Sequence, residues 1–139
     1  MLTWWSRTPQ NYAKTLPGFT ADPREAIRDA ARQTNRRARE LGLVCAVLDA
    51  FEGYEGLVDR ARHAQKIDEF KFWVEIAGIL GIEQIQIPAA FNPAEEVSGE
   101  HDVIVADLRE VCDIGLSVSP AVKVSQTGTG VGGELYCKE

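Results

Sequence analysis

The side chains best suited to chemistry gather where an apolar run gives way to a loop: Asp49, Phe51, Tyr54 and Glu55 come directly after residues 43–48. A carboxylate, a phenol and an aromatic ring at the carboxyl end of a strand are well placed to hold a small polar ligand, because α/β sheets and barrels put their sites at that end. Asp49, Phe51 and Tyr54 are therefore substrate-pocket candidates, with Glu55 beside them. Against this, Asp49 can simply cap the strand end or a turn and Tyr54 can pack the loop, since the sequence offers neither a partner base nor a metal. Gln86 sits in a second short run, residues 84–87. It can hydrogen-bond a polyhydroxylated ligand if it points inward, or be one satisfied polar side chain of an inner layer. Phe91, in the loop that follows, completes the candidate set.

Other reactive residue types carry less. His63 and His101 stand alone, on or beside expected helices, without the H-x-H or H-E-x-x-H spacing of a metal centre, so surface or capping roles are expected. Glu95, Glu96, Glu100 and Asp102 lack the alternating ligands and central glycine of a calcium loop and read as a solvated stretch entering a helix. Gly128-Thr-Gly-Val-Gly-Gly has the composition of a phosphate-cradling loop, but no lysine followed by serine or threonine and no helix come after it. No catalytic residue and no metal ligand is assigned.

The elements that must position these residues follow from composition and period. A chain of 139 residues that is 45% hydrophobic has the means to build one packed domain or part of one. The net charge of −6 gives no electrostatic reason to approach nucleic acid or an anionic membrane, and neither is expected as a partner. Arg32, Arg36, Arg37 and Arg39 stand among acidic residues on an expected helix, as a solvated ion-pair face does. Three widely spaced cysteines without a C-x-x-C fit a reducing cytosol, with Cys45 and Cys112 as core thiols, and no apolar run reaches the ~18 residues of a membrane span. A cytoplasmic protein is expected.

Residues 1–21 are aperiodic and broken by Pro9, Pro17 and Gly18, an irregular lead-in with no strand. Asp22-Pro23-Arg24-Glu25 starts a helix that runs to about Leu41, with Ile27, Ala30, Ala31, Thr34, Ala38 and Leu41 on its apolar side. Residues 43–48 read as a strand buried on both faces. A second helix begins near Asp59 or Gln65 and ends at Leu80, burying Ile67, Phe70, Trp73, Val74 and Ala77. Residues 84–87 form a strand closed by Pro88, a third helix spans about His101 to Ile114 with Ile104, Leu108, Val111 and Cys112 on one face, and residues 121–124 open a third strand. Gly42, Gly81 and Gly115 each supply a helix stop. This alternation is an α/β pattern, because parallel neighbours need crossover helices between them. Residues 126–139 are glycine-rich, carry no period and are expected to be disordered.

Leu43-Val-Cys-Ala-Val-Leu-Asp-Ala-Phe with Gly53-Tyr-Glu-Gly, then Phe72-Trp-Val-Glu-Ile-Ala-Gly-Ile-Leu-Gly, Ile85-Gln-Ile-Pro, Asp102-Val-Ile-Val-Ala-Asp-Leu-Arg-Glu-Val and Ser119-Pro-Ala-Val resemble the sugar phosphate isomerase/epimerase family of xylose-isomerase-like TIM barrels, most of all its fungal 3-dehydroshikimate dehydratase branch. The resemblance covers residues 22–125 and implies a partial (β/α) barrel with about three parallel strands, out of the eight strands and roughly 250 residues of a whole one. It implies, for the intact family, a small polyhydroxylated substrate and a divalent metal (magnesium, manganese or cobalt), and for the dehydratase branch a lyase that converts 3-dehydroshikimate to protocatechuate. The family's fourth strand ends in an aromatic residue and a metal-binding glutamate. Here Lys123-Val-Ser runs on into Gln126-Thr127, and the other ligands belong to strands beyond this pattern. No metal is therefore expected for this chain, which reads as truncated at both ends and inactive alone. The alternative is a non-catalytic α/β protein that needs a partner chain, self-associates through open sheet edges, or is a gene remnant.

Overall fold

The computed structural model describes residues 3–4, 22–49, 51–88, 92–127 and 135–136. Strand β1 is Thr3–Trp4, followed by helix α1 (Pro23–Glu40), β2 (Val47–Asp49), α2 (Arg60–Leu80), β3 (Gln84–Pro88), a 3-10 turn (Ala94–Glu96), α3 (His101–Leu116), β4 (Lys123–Thr127) and β5 (Leu135–Tyr136). The strands form one sheet in the order β1-β2-β3-β4-β5. The first four are parallel, and β5 joins β4 antiparallel. The α/β alternation and the three central strands are as expected. The two-residue edge strands are not: Thr3–Trp4 pairs with β2 inside the segment expected to hold no strand, and Leu135–Tyr136 pairs with β4 inside the glycine-rich tail. Two residues show no alternation, so no period announced either strand.

Asp22 caps α1 by accepting from the Arg24 amide, and Pro23 occupies the first turn, where its missing N–H costs nothing. Asp59 caps α2 through the amides of Ala61 and Arg62. Ile67, Phe70, Trp73, Val74, Ala77 and Leu80 are buried against Leu48, Ile85, Ile87 and Val124 of the sheet. Helix α1 lies on α2, where the guanidinium groups of Arg24 and Arg28 stand 5.1 and 5.3 Å from the centre of the Phe72 ring while pairing with Asp68 and Glu75. With that cover Phe72 is half-buried.

Several expectations are corrected. The run 43–48 is not buried on both faces: only Val47–Asp49 forms strand, and Leu43 and Val44 ahead of it are exposed, Val44 by 77%. Leu41 lies past the last turn of α1 and is 55% exposed. Gly42 and Gly81 do follow α1 and α2 at positive φ. Gly115, in contrast, is inside α3 and buried; a Cβ there would meet the Val122 carbonyl oxygen. The glycine lets α3 touch the entry of β4, where the Val122 amide donates to the Gly115 carbonyl at 2.9 Å. Cys45 is a buried free thiol, whereas Cys112 is half-buried and disulfide-bonded rather than a core thiol.

Candidate functional site

Register decides which side chains share a face, since partners in a parallel ladder project to the same side. Leu48, Ile85 and Val124 are in register and face the helices. The next positions, Asp49, Gln86 and Ser125, are also in register and form a polar row on the opposite face, at the end of β2 and the middle of β3 and β4. Gln84 shares that face and donates to the Ser125 hydroxyl at 2.9 Å. Asp49 forms no ion pair among the described residues. Burial first, and then the charge of Glu52, push its carboxyl above the usual range. A row of one hard-to-ionise carboxyl, two amides and a hydroxyl can donate to and accept from the hydroxyl and carbonyl oxygens of a small polar molecule.

The other sequence candidates go elsewhere. Phe51 and Tyr54 are core residues on the helix side: their rings lie 5.4 Å apart, and Phe51 stands 4.9 Å from Phe70. The Tyr54 hydroxyl is enclosed, with the Glu55 carboxylate beside it. Burial, followed by the charges of Glu55 and Asp107, drives its pKa far above the ordinary phenol value. Glu55 is buried beside it and accepts from the Gln126 amide at 3.2 and 3.3 Å, which ties the β2–α2 loop to β4. Phe91 lies outside the described residues. Ser125 and Gln84, which the structure adds to this face, were not singled out in the sequence.

His63 overturns its expected surface position. It is 4% exposed and sits between α2 and α3. Its Nδ1 lies 2.8 Å from the Tyr54 carbonyl oxygen and its Nε2 lies 2.9 Å from Glu110 Oε2. Asp107, 2% exposed, accepts from the Gly56 amide at 2.8 Å and is gripped by both terminal nitrogens of Arg60 at 2.7 and 3.1 Å. Burial alone would raise the Asp107 carboxyl. Arg60, the Gly56 amide and His63 outweigh it and hold the group below the usual carboxylate range. His101 is exposed at the start of α3, and Glu96 pairs with Arg62, as solvated residues do.

His63, Asp107 and Glu110 offer ligand atoms within 4.8 Å of one another, but the geometry does not converge on a cation. Asp107 approaches the Nδ1 side of the ring, 3.5 Å away, while Glu110 meets Nε2. Arg60 and Gly56 already occupy both oxygens of Asp107. On the inner face Asp49 is the single carboxylate of the row, so the described residues there do not make a ligand set for the family's divalent metal.

No family model matches the chain. A 3-dehydroshikimate dehydratase of Neurospora crassa is 40% identical over 99 residues, which is 71% of this chain and 28% of that protein. The chain thus spans under a third of the length of the curated relative it matches. A crystal structure of the IolI protein with a bound zinc atom superposes with a TM-score of 0.66 at 16% identity, over 91% of this chain and 40% of that one. A xylose isomerase-like TIM barrel/4-hydroxyphenylpyruvate dioxygenase fusion protein gives 0.62 at 19% identity, over 70% and 15%. Among the described residues, no helix is long and apolar enough to cross a membrane. By sequence the chain is similar to part of a fungal 3-dehydroshikimate dehydratase, and its fold is that of a partial barrel like part of the xylose isomerase-like TIM barrels.

Proposed function

We propose that the chain supplies the substrate-positioning wall of a 3-dehydroshikimate dehydratase-type lyase, with Asp49, Gln84, Gln86 and Ser125 as the residues that contact the ligand. The observation that carries the reading is the in-register polar row Asp49-Gln86-Ser125 on the face of the sheet opposite the helices, in a chain 40% identical over 99 residues to such an enzyme. The row holds hydroxyl and carbonyl oxygens of a polyhydroxylated ring in a fixed orientation, which lowers the entropic part of the barrier for whatever base removes the proton. The described residues supply neither that base nor the metal's ligands, so binding without turnover is expected of this chain.

The test is a titration of the labelled protein with 3-dehydroshikimate followed by amide and side-chain NMR, alongside an absorbance assay for protocatechuate with added magnesium, manganese or cobalt. Shifts confined to Gln84, Gln86, Ser125 and Asp49, with no product, support the reading. Unperturbed signals at those four residues would sink the binding wall, and metal-dependent product would show that the chain is itself an active lyase.

A second reading rests on the single carboxylate of the row: a non-catalytic cytoplasmic module whose polar face or sheet edges meet another chain. Sedimentation over a range of concentrations separates it, since it requires association and the first reading does not.

A further inference from the structure

The two ends of the sheet carry unlike surfaces. Helix α1 runs back against β2, so its last turn and residues 41–46 lie at the amino end of the strands, whereas the β2–α2 and β3–α3 connections lie at the carboxyl end. At the amino end Arg36 and Arg39 are exposed and form no ion pair among the described residues, while Arg37 is matched by Glu40. Beside them stand the exposed side chains of Leu41, Leu43 and Val44. At the carboxyl end Val58 is 62% exposed, and its amide donates to the Glu96 carbonyl at 3.0 Å, which sets the β3–α3 connection next to it. Glu52, Glu95, Glu100 and Asp102 of these connections are exposed acids without an ion pair among the described residues. Arg60 and Arg62, the cations of that end, are taken by Asp107 and Glu96.

Charges of these signs also suit the helix dipoles, since Arg37 and Arg39 fall in the last turn of α1 and Asp102 in the first turn of α3. The dipoles do not account for the leucines and valines left in water beside them. An apolar patch rimmed by charge has the composition of a contact surface, and here the same chain carries the counterpart of opposite sign. We propose that copies of this chain associate head to tail, the arginine and leucine corner of one on the acidic Val58 corner of the next. The two corners are different surfaces, so the contact is heterologous and assembly continues past the dimer, to a ring or an open chain. The net charge of −6 makes whole copies repel one another. Only a contact that sets opposite signs together therefore strengthens as salt is removed. It uses neither the inner-face row nor a strand edge, and it does not depend on which ligand the row takes.

The test is sedimentation velocity of the full chain over a range of concentrations, at about 0.01 M and about 1 M salt, where the screening length is about 30 Å and about 3 Å. At low salt the sedimentation coefficient is expected to rise with concentration, and at high salt to stay at the monomer value. Two double variants separate the ends: Arg36→Glu with Arg39→Glu makes both corners acidic, and Glu95→Lys with Glu100→Lys makes both basic. Each alone is expected to stay monomeric, and an equimolar mixture to regain association, because every contact in it joins opposite signs. All four side chains are exposed, so both variants should keep the wild-type urea midpoint, which certifies their folds. A wild-type chain that is monomeric at low salt overturns the proposal. So does association that survives both pairs of reversals, as pairing of sheet edges would, or a mixture of folded variants that stays monomeric.

Discussion

The inner-face row and the helix-borne cluster are both polar, both partly enclosed and both built around an aspartate, yet they are wired in opposite ways. Asp107 has a guanidinium, a backbone amide and an imidazole around it, and its carboxyl is held low. Asp49 has burial and a second acid, and its carboxyl is held high. A carboxylate surrounded by partners is committed to the fold, whereas one that lacks a cation retains free energy that a ligand can release. The dense cluster of titratable groups is thus tied into the fold, and the sparse row is where we propose recognition. A count of reactive residues would have ranked the two the other way.

The comparison is sharpest in stability. Asp107→Ala strands the Gly56 amide and removes the counter-charge of Arg60, and it should cost about 3 kcal/mol in urea unfolding, with Arg60 reaching solvent to limit the damage. Asp49→Asn should leave stability within about 1 kcal/mol of wild type or raise it, while weakening any ligand held by the row. A loss at Asp49 as large as that at Asp107 would erase the distinction.

Acid titration gives the two aspartates opposite signs. The depressed Asp107 carboxyl stabilises the fold above the unfolded value of about 3.9, and that contribution is lost as pH falls through its lower folded value. The raised Asp49 carboxyl costs the fold while ionised, and that cost is returned as pH falls through its higher folded value. Unfolding midpoints measured down the acid limb should therefore lose their steepest part in Asp107→Asn and gain slope in Asp49→Asn. The smallest effect is expected at Ser125→Ala, which removes the acceptor of the Gln84 amide and should cost about 1 kcal/mol by the same unfolding measurement.

Much of the helix layer was legible because α2 carries a continuous apolar stripe and because Asp22 and Asp59 stand where caps belong. The cluster was equally present in the pattern and went unread. His63 lies four, seven and eleven positions before Ile67, Phe70 and Val74, on the buried stripe, and Asp107 falls between Ile104 and Val111 on the packed side of α3. A polar residue on an apolar face signals a buried network, but uncertainty over the start of α2 hid that face. Asp49 and Gln86 were singled out because one follows and the other lies within a short apolar run. Their alignment with Ser125 was not, since register is a relation between distant segments that no local period encodes. Phe51 and Tyr54 were assigned to the pocket by nearness in sequence, and the turn after β2 carries them to the other side of the sheet.

Strand β5 has a topological consequence. A barrel of this kind closes by adding parallel neighbours, each presenting its amides and carbonyls to the next. Residues Ser125 and Gln126 of β4 already have Tyr136 and Leu135 opposite them, running the other way. The seam where a further parallel strand would zip on is occupied at that point. Propagation of the curl on this side requires β5 to be peeled off first, so the antiparallel pair acts as a stopper whose removal, and not merely the supply of more strands, sets whether the sheet can roll up.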